Sequence, residues 1–274
     1  MQAVLLALMC CSPLVAMPQS TFYRTFGTDT IEEIGNAVIQ TADGGFLIAG
    51  GEVVPAPIQW WKGNGVLLRT DQSGEVLWRN AIVAPGTHSI ELRDLIVNAE
   101  GQFIVTGVYS YEWNASPANH DVYLAAFDVD GEEIWSTRAG GPFKDWGEQA
   151  LRTADGDYVV CGSRQMTSSN LIGHAAFLIR FNASGDSLWL RTLLAPNAVN
   201  QYGYCLAPAP DEGFYVGGGR HYFGESVPLI MRTDAAGDTL WSRRLDSLLR
   251  GEVHAVRAAP EGGILATGWC TATG

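Results

Sequence analysis

Lysine is almost missing from this chain. Lys62 and Lys144 are the two lysines among 17 basic residues, which face 29 acidic residues and leave a net charge of −12. An acidic chain without a basic stripe lacks the cationic surface that contacts nucleic-acid phosphates, so we expect no nucleic-acid partner. After the first residues, no apolar run is long enough to span a bilayer as a helix, so we expect no membrane span.

Cysteine is scarce as well. Cys161, Cys205 and Cys270 fall on predicted strands in separate parts of the chain, whereas Cys10 and Cys11 lie near the N-terminus. This distribution does not suit a disulfide framework, and we expect the three later cysteines to be small buried apolar residues. No cysteine and histidine have the spacing of metal ligands, so we expect neither a metal nor a cofactor.

Helical periodicity is missing after the first 16 residues, and two turn patterns recur instead. The first is Asp-x-x-Gly-x-x-x-Trp, with Asn for Asp in one copy. It ends at tryptophans that lie 57, 54 and 52 residues apart, namely Trp78, Trp135, Trp189 and Trp241. The second resembles Asp-Gly-Gly-Phe before an apolar run that ends in Gly, and its five copies begin at Asp43, Glu100, Asp155, Asp211 and Glu261. Strand-like repeats of this length indicate a propeller or another repeat array.

Each repeat contains four predicted strands, which we name a to d. Asp and Gly suit the tight turns, and the apolar runs beside them indicate strands. In the first repeat the strands fall near Asn36–Gln40, Phe46–Gly50, Val66–Thr70 and Val76–Ile82. This pattern predicts an all-β fold, a β-propeller of four-stranded antiparallel blades, with about five blades visible and the last one incomplete.

The outermost strand, d, carries the recurring tryptophan, which we expect to fill the space between neighbouring blades. The segment Thr21–Gly27 resembles strand d, and we expect it to close the ring by pairing with the last blade. That blade has strands a and b but no strand c before Gly274, which indicates a longer native chain or a fragment.

The N-terminal 16 residues are apolar and have the length of a signal peptide, with Leu14-Val15-Ala16 as a cleavage site. They contain no lysine or arginine, and a strand of the main domain or a cloning artefact is the alternative interpretation. We therefore expect residues 1–16 to be a signal peptide, residues 17–274 to be one propeller domain, and the protein to be secreted or at the cell surface.

The b–c and d–a connections of a propeller emerge at one end, here called the top face, where variable loops carry function. Aromatic side chains recur in these connections and are our candidate ligand-binding residues: Trp60, Trp61, Tyr111, Trp113, Trp146, Tyr202 and Tyr222. Such residues stack on sugar rings or anchor peptides. The alternative is that they pack between the loops and cover the tops of the blades.

One polar or aromatic residue recurs at the same position of every strand a, near the upper mouth of the central channel. These further candidate ligand-binding residues are Asn36, Arg93, Glu148, Tyr204 and His254. A ring of this kind suits a polar ligand, but a water-filled channel with solvated side chains is the alternative. We identify no catalytic triad and no carboxylate pair of known separation, so we assign no catalytic residue.

The two turn patterns together resemble the repeats of secreted bacterial β-propeller proteins that are common in Bacteroidetes-like organisms. The tryptophan pattern is also distantly similar to the repeats of quinoprotein dehydrogenases. Those enzymes use a vicinal cysteine pair at their cofactor, and the only such pair here is Cys10-Cys11 in the predicted leader. The resemblance therefore implies the propeller fold and not the quinoprotein activity.

Taken as a sequence, the chain is best interpreted as a monomeric, secreted, non-enzymatic propeller that binds a carbohydrate or protein partner at its top face. The alternative is a hydrolase or lyase acting on polysaccharide, with Arg93, Glu148, Tyr204 and His254 around the channel mouth. A purely structural spacer is a third possibility.

Overall fold

The computed structural model describes residues 22–27, 30–53, 63–111, 119–167, 173–194, 200–222, 225–245 and 249–272. Its 18 strands in these ranges are β1 Glu33–Gln40, β2 Phe46–Val53, β3 Gly63–Thr70, β4 Val76–Ile82, β5 Ser89–Val97, β6 Phe103–Ser110, β7 His120–Phe127, β8 Glu133–Ala139, β9 Asp145–Arg152, β10 Tyr158–Gln165, β11 His174–Phe181, β12 Ser187–Leu193, β13 Asn200–Pro208, β14 Phe214–Tyr222, β15 Glu225–Thr233, β16 Thr239–Arg244, β17 Leu249–Ala258 and β18 Ile264–Ala272. Within the described ranges, no helix could cross a membrane.

Strands that follow one another in the chain pair antiparallel and form the blades. Blades 1 to 4 are β1–β4, β5–β8, β9–β12 and β13–β16, and blade 5 consists of β17 and β18. The predicted all-β propeller with an incomplete fifth blade is confirmed. The inner three strands of blade 1 are three residues longer at their top ends than the sequence indicated, because Glu33, Val53 and Gly63 continue the ladder.

Every strand a contains a β-bulge at the same place. The pairing of strands a and b skips one residue in each blade, namely Asn36, Arg93, Glu148, Tyr204 and His254. A bulge re-aims the side chain of its extra residue and bends the strand. The five residues that the sequence placed in one ring are therefore the five bulge residues.

The core lies between blades. One apolar cluster joins blades 1 and 2 through residues such as Leu47 and Leu92, and comparable clusters join each later pair of neighbours. Their members lie mainly on strands a, b and c, where side chains alternate between the two faces of each sheet. Cys161 and Cys205 are buried in these clusters as expected, whereas Cys270 on β18 is exposed.

The strand d tryptophans contact the next blade, as expected. Trp78 donates its indole hydrogen to the carbonyl of Val129, 3.3 Å away in the c–d turn of blade 2. Trp135 lies against Gly185 in the turn of blade 3, where a Cβ would stand 2.7 Å from the indole. Gly185 also has φ +87°, a conformation that L side chains rarely adopt, so the turn needs glycine for two reasons.

The N-terminal segment 22–27 takes the place of a strand d against blade 1. Phe22 lies on Gly74 as Trp189 lies on Gly237, and Arg24 pairs with Glu75 as Arg191 pairs with Asp238. The resemblance of this segment to strand d is therefore visible in its contacts. In the described residues it forms no ladder with β18, so the expected pairing with the last blade is not observed.

The face of blade 1 that points toward this segment remains open. Val38 is 62% exposed, whereas its counterparts Leu95, Leu206 and Val256 are buried under the preceding blade. The exposure follows from position, because blade 2 packs on the other face of blade 1 and no described blade covers this one.

Candidate functional site

The bulge residues form a polar belt at the top of the channel. The Asn36 side chain donates to the carbonyl of Leu92 at 2.8 Å, and Arg93 forms an ion pair with Glu148. Arg93 also lies 3.4 Å from the exposed carboxylate of Glu91. Burial raises the pKa of Glu148 above its usual range, although the charge of Arg93 acts in the opposite direction.

The residue after the bulge ties neighbouring blades together. Asp94 accepts a hydrogen bond from the backbone of Ala150 at 2.9 Å, and Gln149 accepts one from the backbone of Leu206 at 2.7 Å. Burial raises the pKa of Asp94. These bonds hold successive inner strands in register and fix the position of the belt above them.

Seven aromatic and imidazole rings, two of them on bulge residues, contact one another in a row. We call this set the ring row. It runs through His120, Trp146, His174, Tyr202, Tyr204 and His254, with His221 as a branch at Tyr202. Centroid distances between neighbours range from 4.5 Å for Tyr202–His221 to 6.1 Å for Tyr202–Tyr204. The row crosses blades 2 to 5.

The repeat explains how the row forms. Trp146 and Tyr202 occupy the second position before the bulge in blades 3 and 4, and His120 and His174 begin strand c in blades 2 and 3. Strand a of one blade starts beside strand c of the preceding blade, as the parallel bridge His174–Asn200 shows. The junctions of blades 2 and 3 and of blades 3 and 4 therefore each bring an imidazole against an aromatic ring.

Two of these imidazoles are buried and hold little charge at neutral pH. Burial, together with the nearby Lys144 and Arg93, lowers the pKa of His120 to about 4. Burial also lowers the pKa of His174, although its contact with Asn200 acts in the opposite direction. The blade 2 and 3 end of the row is therefore mainly apolar.

Glu252 is the polar centre at the blade 5 end of the row. Its two carboxylate oxygens lie 2.8 Å from Nε2 of His221 and 3.2 Å from Nε2 of His254. Ser226 donates to it at 3.1 Å and the indole of Trp269 at 3.3 Å. Burial raises the pKa of Glu252, but the donors at the carboxylate outweigh burial and the net pKa is lowered.

A cleft of about 410 Å³ lies beyond the other end of the row, at the tops of blades 1 to 3. Trp146 and His120 form its wall on the side of the row, and Glu91, Arg93 and Lys144 add charged groups. The mouth therefore presents a continuous surface from Trp269 on blade 5 to this cleft.

The structure brings together most of the residues that the sequence selected at the mouth, and leaves others apart. Trp146, Tyr202, Tyr204 and His254 are in the ring row, and Asn36, Arg93 and Glu148 are in the belt. Trp146 and Tyr202 lie inside strand a rather than in the loops before it. Trp60, Trp61 and Trp113 lie outside the described residues, and only the backbone of Tyr222 is described.

Tyr111 belongs to a different cluster. Its hydroxyl donates to Asp121 at 2.6 Å, and its ring contacts Tyr109 and His88. The guanidinium carbon of Arg138 lies 4.5 Å from the centroid of the Tyr109 ring. Burial and then the bond to Asp121 raise the pKa of Tyr111 to about 12. These contacts suit a packing role at the edge of blade 2.

Sequence reasoning missed Glu252, Trp269 and the role of His221. The repeat contained a signal for Glu252, because this residue has the same repeat position as Trp146 and Tyr202, two residues before the bulge. Across the described ranges, no three His, Cys, Asp or Glu side chains are grouped as metal ligands.

The fold and the recurring turns define a β-propeller repeat protein. The family model described as Outer membrane protein assembly factor BamB, of the PQQ_2 type, matches residues 28–202, which is more than half of the chain. The chain therefore belongs to this family, and its resemblance to quinoprotein-type propeller repeats is confirmed. No curated protein matches the sequence.

Solved structures of similar fold include two that contain saccharides. An ulvan lyase bound to -[GlcA(1-4)Rha3S]- is 13% identical, with a TM-score of 0.55 over 82% of this chain and 57% of the lyase chain. The α-L-arabinanase of Penicillium chrysogenum, complexed with arabinobiose, is 14% identical, with a TM-score of 0.51 over 84% of this chain and 73% of the arabinanase. At these identities the likeness establishes the propeller fold alone.

Proposed function

We propose that the protein is a secreted, non-enzymatic β-propeller that binds carbohydrate at its top face. The observation that carries this proposal is the ring row, a set of seven rings in mutual contact across four blades, with Glu252 at one end and a cleft at the other. Its length suits an extended ligand more than a single small molecule.

The chemistry of the row suits a ligand with many hydroxyl groups. Three of the ring contacts are stacked and three are tilted by 34° to 50°, so a ligand can contact the edges of the rings and parts of their faces. The edges of Tyr, His and Trp carry polar atoms on an otherwise apolar ring, and binding sites combine an apolar lining with a few such groups. Trp269, which is 47% exposed, adds an accessible indole beside Glu252.

The relatives support two ligand classes. The two solved propellers hold saccharides, which supports carbohydrate as the ligand of a propeller mouth. The family description names an assembly factor for proteins, which supports a protein partner instead. We favour carbohydrate because five of the seven rings of the row are partly exposed, and only His120 and His174 are buried.

A glycan and polysaccharide array screened with the purified full chain tests the proposal, with product analysis of each ligand that binds. We expect binding without a change in the ligand. If nothing on the array binds, the carbohydrate proposal is overturned and a protein partner remains. A protein that is pulled down by the parent chain, but not by a variant without Trp269, would then support that alternative.

A second candidate function is supported by one feature of the belt. Glu148 lies beside Arg93 near Tyr204 and His254, and burial raises its pKa toward the range that suits a general acid. Cleaved product on the array would favour a polysaccharide hydrolase or lyase. Glu148→Gln should then abolish turnover without unfolding the protein, and an unchanged rate in that variant would exclude Glu148.

A further inference from the structure

Two imidazoles from neighbouring blades share one carboxylate. His221 is the next-to-last residue of strand b of blade 4, and His254 is the bulge residue of blade 5. Their Nε2 atoms lie 2.8 Å and 3.2 Å from the Oε1 and Oε2 atoms of Glu252, one on each oxygen. The two rings therefore meet the carboxylate from different sides.

An ionised carboxylate can only accept hydrogen bonds, so each nitrogen that contacts it must carry a hydrogen. A neutral imidazole has one N–H and one acceptor nitrogen. When Nε2 of His221 and of His254 carry the hydrogens, their Nδ1 atoms are acceptors. The shared carboxylate therefore determines that Nδ1 is the nitrogen of each ring that can accept a hydrogen bond.

Glu252 itself has little capacity left for a ligand. Besides the two imidazoles, Ser226 and Trp269 donate to it, and a carboxylate has about four acceptor positions. Its side chain is also mostly buried, with a relative exposure of 14%. The imidazoles are more accessible, since His254 has 51% of its side chain exposed.

We infer that Glu252 is a positioning residue that fixes the Nε2–H tautomer of His221 and His254, so that their Nδ1 atoms accept hydrogen bonds from the hydroxyl groups of a neutral sugar. This inference rests on the proposed function and adds a ligand class to it. A uronate or sulfate ester brings an anionic group that cannot donate to Nδ1, and the charge of Glu252 repels it.

The tautomers can be measured without any ligand. Nitrogen-15 NMR of the full chain with labelled histidine, at a pH well above the ordinary imidazole range, should show Nε2–H for both His221 and His254. A hydrogen on Nδ1 of either ring would overturn the inference.

Glu252→Gln provides a sharper test, because a carboxamide has one acceptor and one donor group. Its oxygen can accept from one imidazole, but its NH₂ must donate to the other, which has to move its hydrogen to Nδ1. We expect one of the two rings to change tautomer. Glu91→Gln is the matched control, since Glu91 has the same repeat position in blade 2, and should leave both rings unchanged. Unchanged tautomers in Glu252→Gln would contradict the inference.

Ligand class is tested with a neutral glucan oligosaccharide and a glucuronic acid oligosaccharide of equal length. We expect the neutral probe to bind more tightly and to lose about tenfold in affinity in Glu252→Gln, the value of one hydrogen bond. Tighter binding of the acidic probe would overturn the assigned class while leaving glycan binding intact. Absence of binding by both probes and by the array would overturn the proposed function, whereas the tautomer result would stand independently.

Discussion

Tyr204 and His254 stack with their ring planes 3° apart and their centroids 5.3 Å apart. Each is the bulge residue of its own blade, so the bulges of blades 4 and 5 place two rings face to face at the channel mouth. Burial and the nearby Glu252 raise the pKa of the Tyr204 phenol well above its usual range, so the ring remains neutral.

This stack leads to the first prediction. Tyr204→Phe keeps the ring and removes the hydroxyl, so it should lower the free energy of unfolding by about 1 kcal/mol. Tyr204→Ala removes the ring from between blades 4 and 5 and should cost about 3 kcal/mol. Urea denaturation of both variants distinguishes these values. Equal losses would show that the hydroxyl, and not the stacked ring, holds the two blades together.

The second prediction concerns the strand d tryptophans. Trp135→Ala should lower the free energy of unfolding by about 3 kcal/mol, because it empties the space over Gly185 and beside Tyr158. The adjacent Ile134 is exposed on the same strand, and Ile134→Ala should change stability by less than about 0.5 kcal/mol. Similar denaturation midpoints for the two variants would contradict the packing role of Trp135.

The third prediction concerns the N-terminal segment. Phe22→Ala should release residues 22–27 from blade 1, because the ring lies on Gly74 and against Phe46, whereas the Arg24–Glu75 pair is exposed. Trypsin should then cleave after Arg24 faster than in the parent protein. Tyr23 is 89% exposed, and Tyr23→Ala is the control. An unchanged cleavage rate in Phe22→Ala would show that other contacts hold the segment.

The fourth prediction concerns the pH dependence of stability. Asp145 is 1% exposed, and burial raises its pKa to about 6. Two contacts act in the opposite direction: the backbone of Gly141 donates to its carboxylate at 2.5 Å, and Arg164 lies 3.3 Å away. A folded-state pKa above the unfolded value of 3.8 means that the protonated form is favoured by folding. The stability that the protonated form of Asp145 contributes is therefore fully present below about pH 4 and is lost as pH rises through about 6.

Asp145→Asn isolates this effect because the amide does not titrate and can still accept from Gly141. Relative to this variant, the parent protein should lose up to about 3 kcal/mol of stability between pH 4 and pH 7. Urea denaturation at a series of pH values measures the difference. A constant difference across that range would show that Asp145 titrates normally in the folded protein.

Much of the fold could be predicted from the sequence because turn chemistry repeats. Asp and Gly at fixed intervals specify the tight turns, and the bottom ends of β1, β2 and β3 fall where the sequence placed them. The top ends of these strands were underestimated because Glu33 and Gly63 are residue types that are depleted in strands. Their pairing is imposed by the neighbouring strand rather than by local preference.

The candidate site was only partly predictable. Equivalent positions could be aligned, so Arg93, Tyr204 and His254 were placed at the mouth before their bulges were known. The contacts of Glu252 with His221 and Trp269 arise where strands a and b of blade 5 meet the end of strand b of blade 4, and a single sequence does not give that side-chain geometry. Tyr111 lies apart from the ring row, and the sequence did not indicate this because the alignment located its connection but not the direction of its ring.

The most direct test of the account is a calorimetric titration of a glycan that binds on the array into the parent protein, Trp269→Ala and Leu265→Ala. Trp269 and Leu265 share β18, but Leu265 lies away from the mouth and is 63% exposed. We predict that Trp269→Ala weakens binding at least tenfold, as for an aromatic residue that anchors a ligand, and that Leu265→Ala leaves the affinity unchanged. Equal affinities for all three proteins would contradict the claim that the ring row and Glu252 form the binding site.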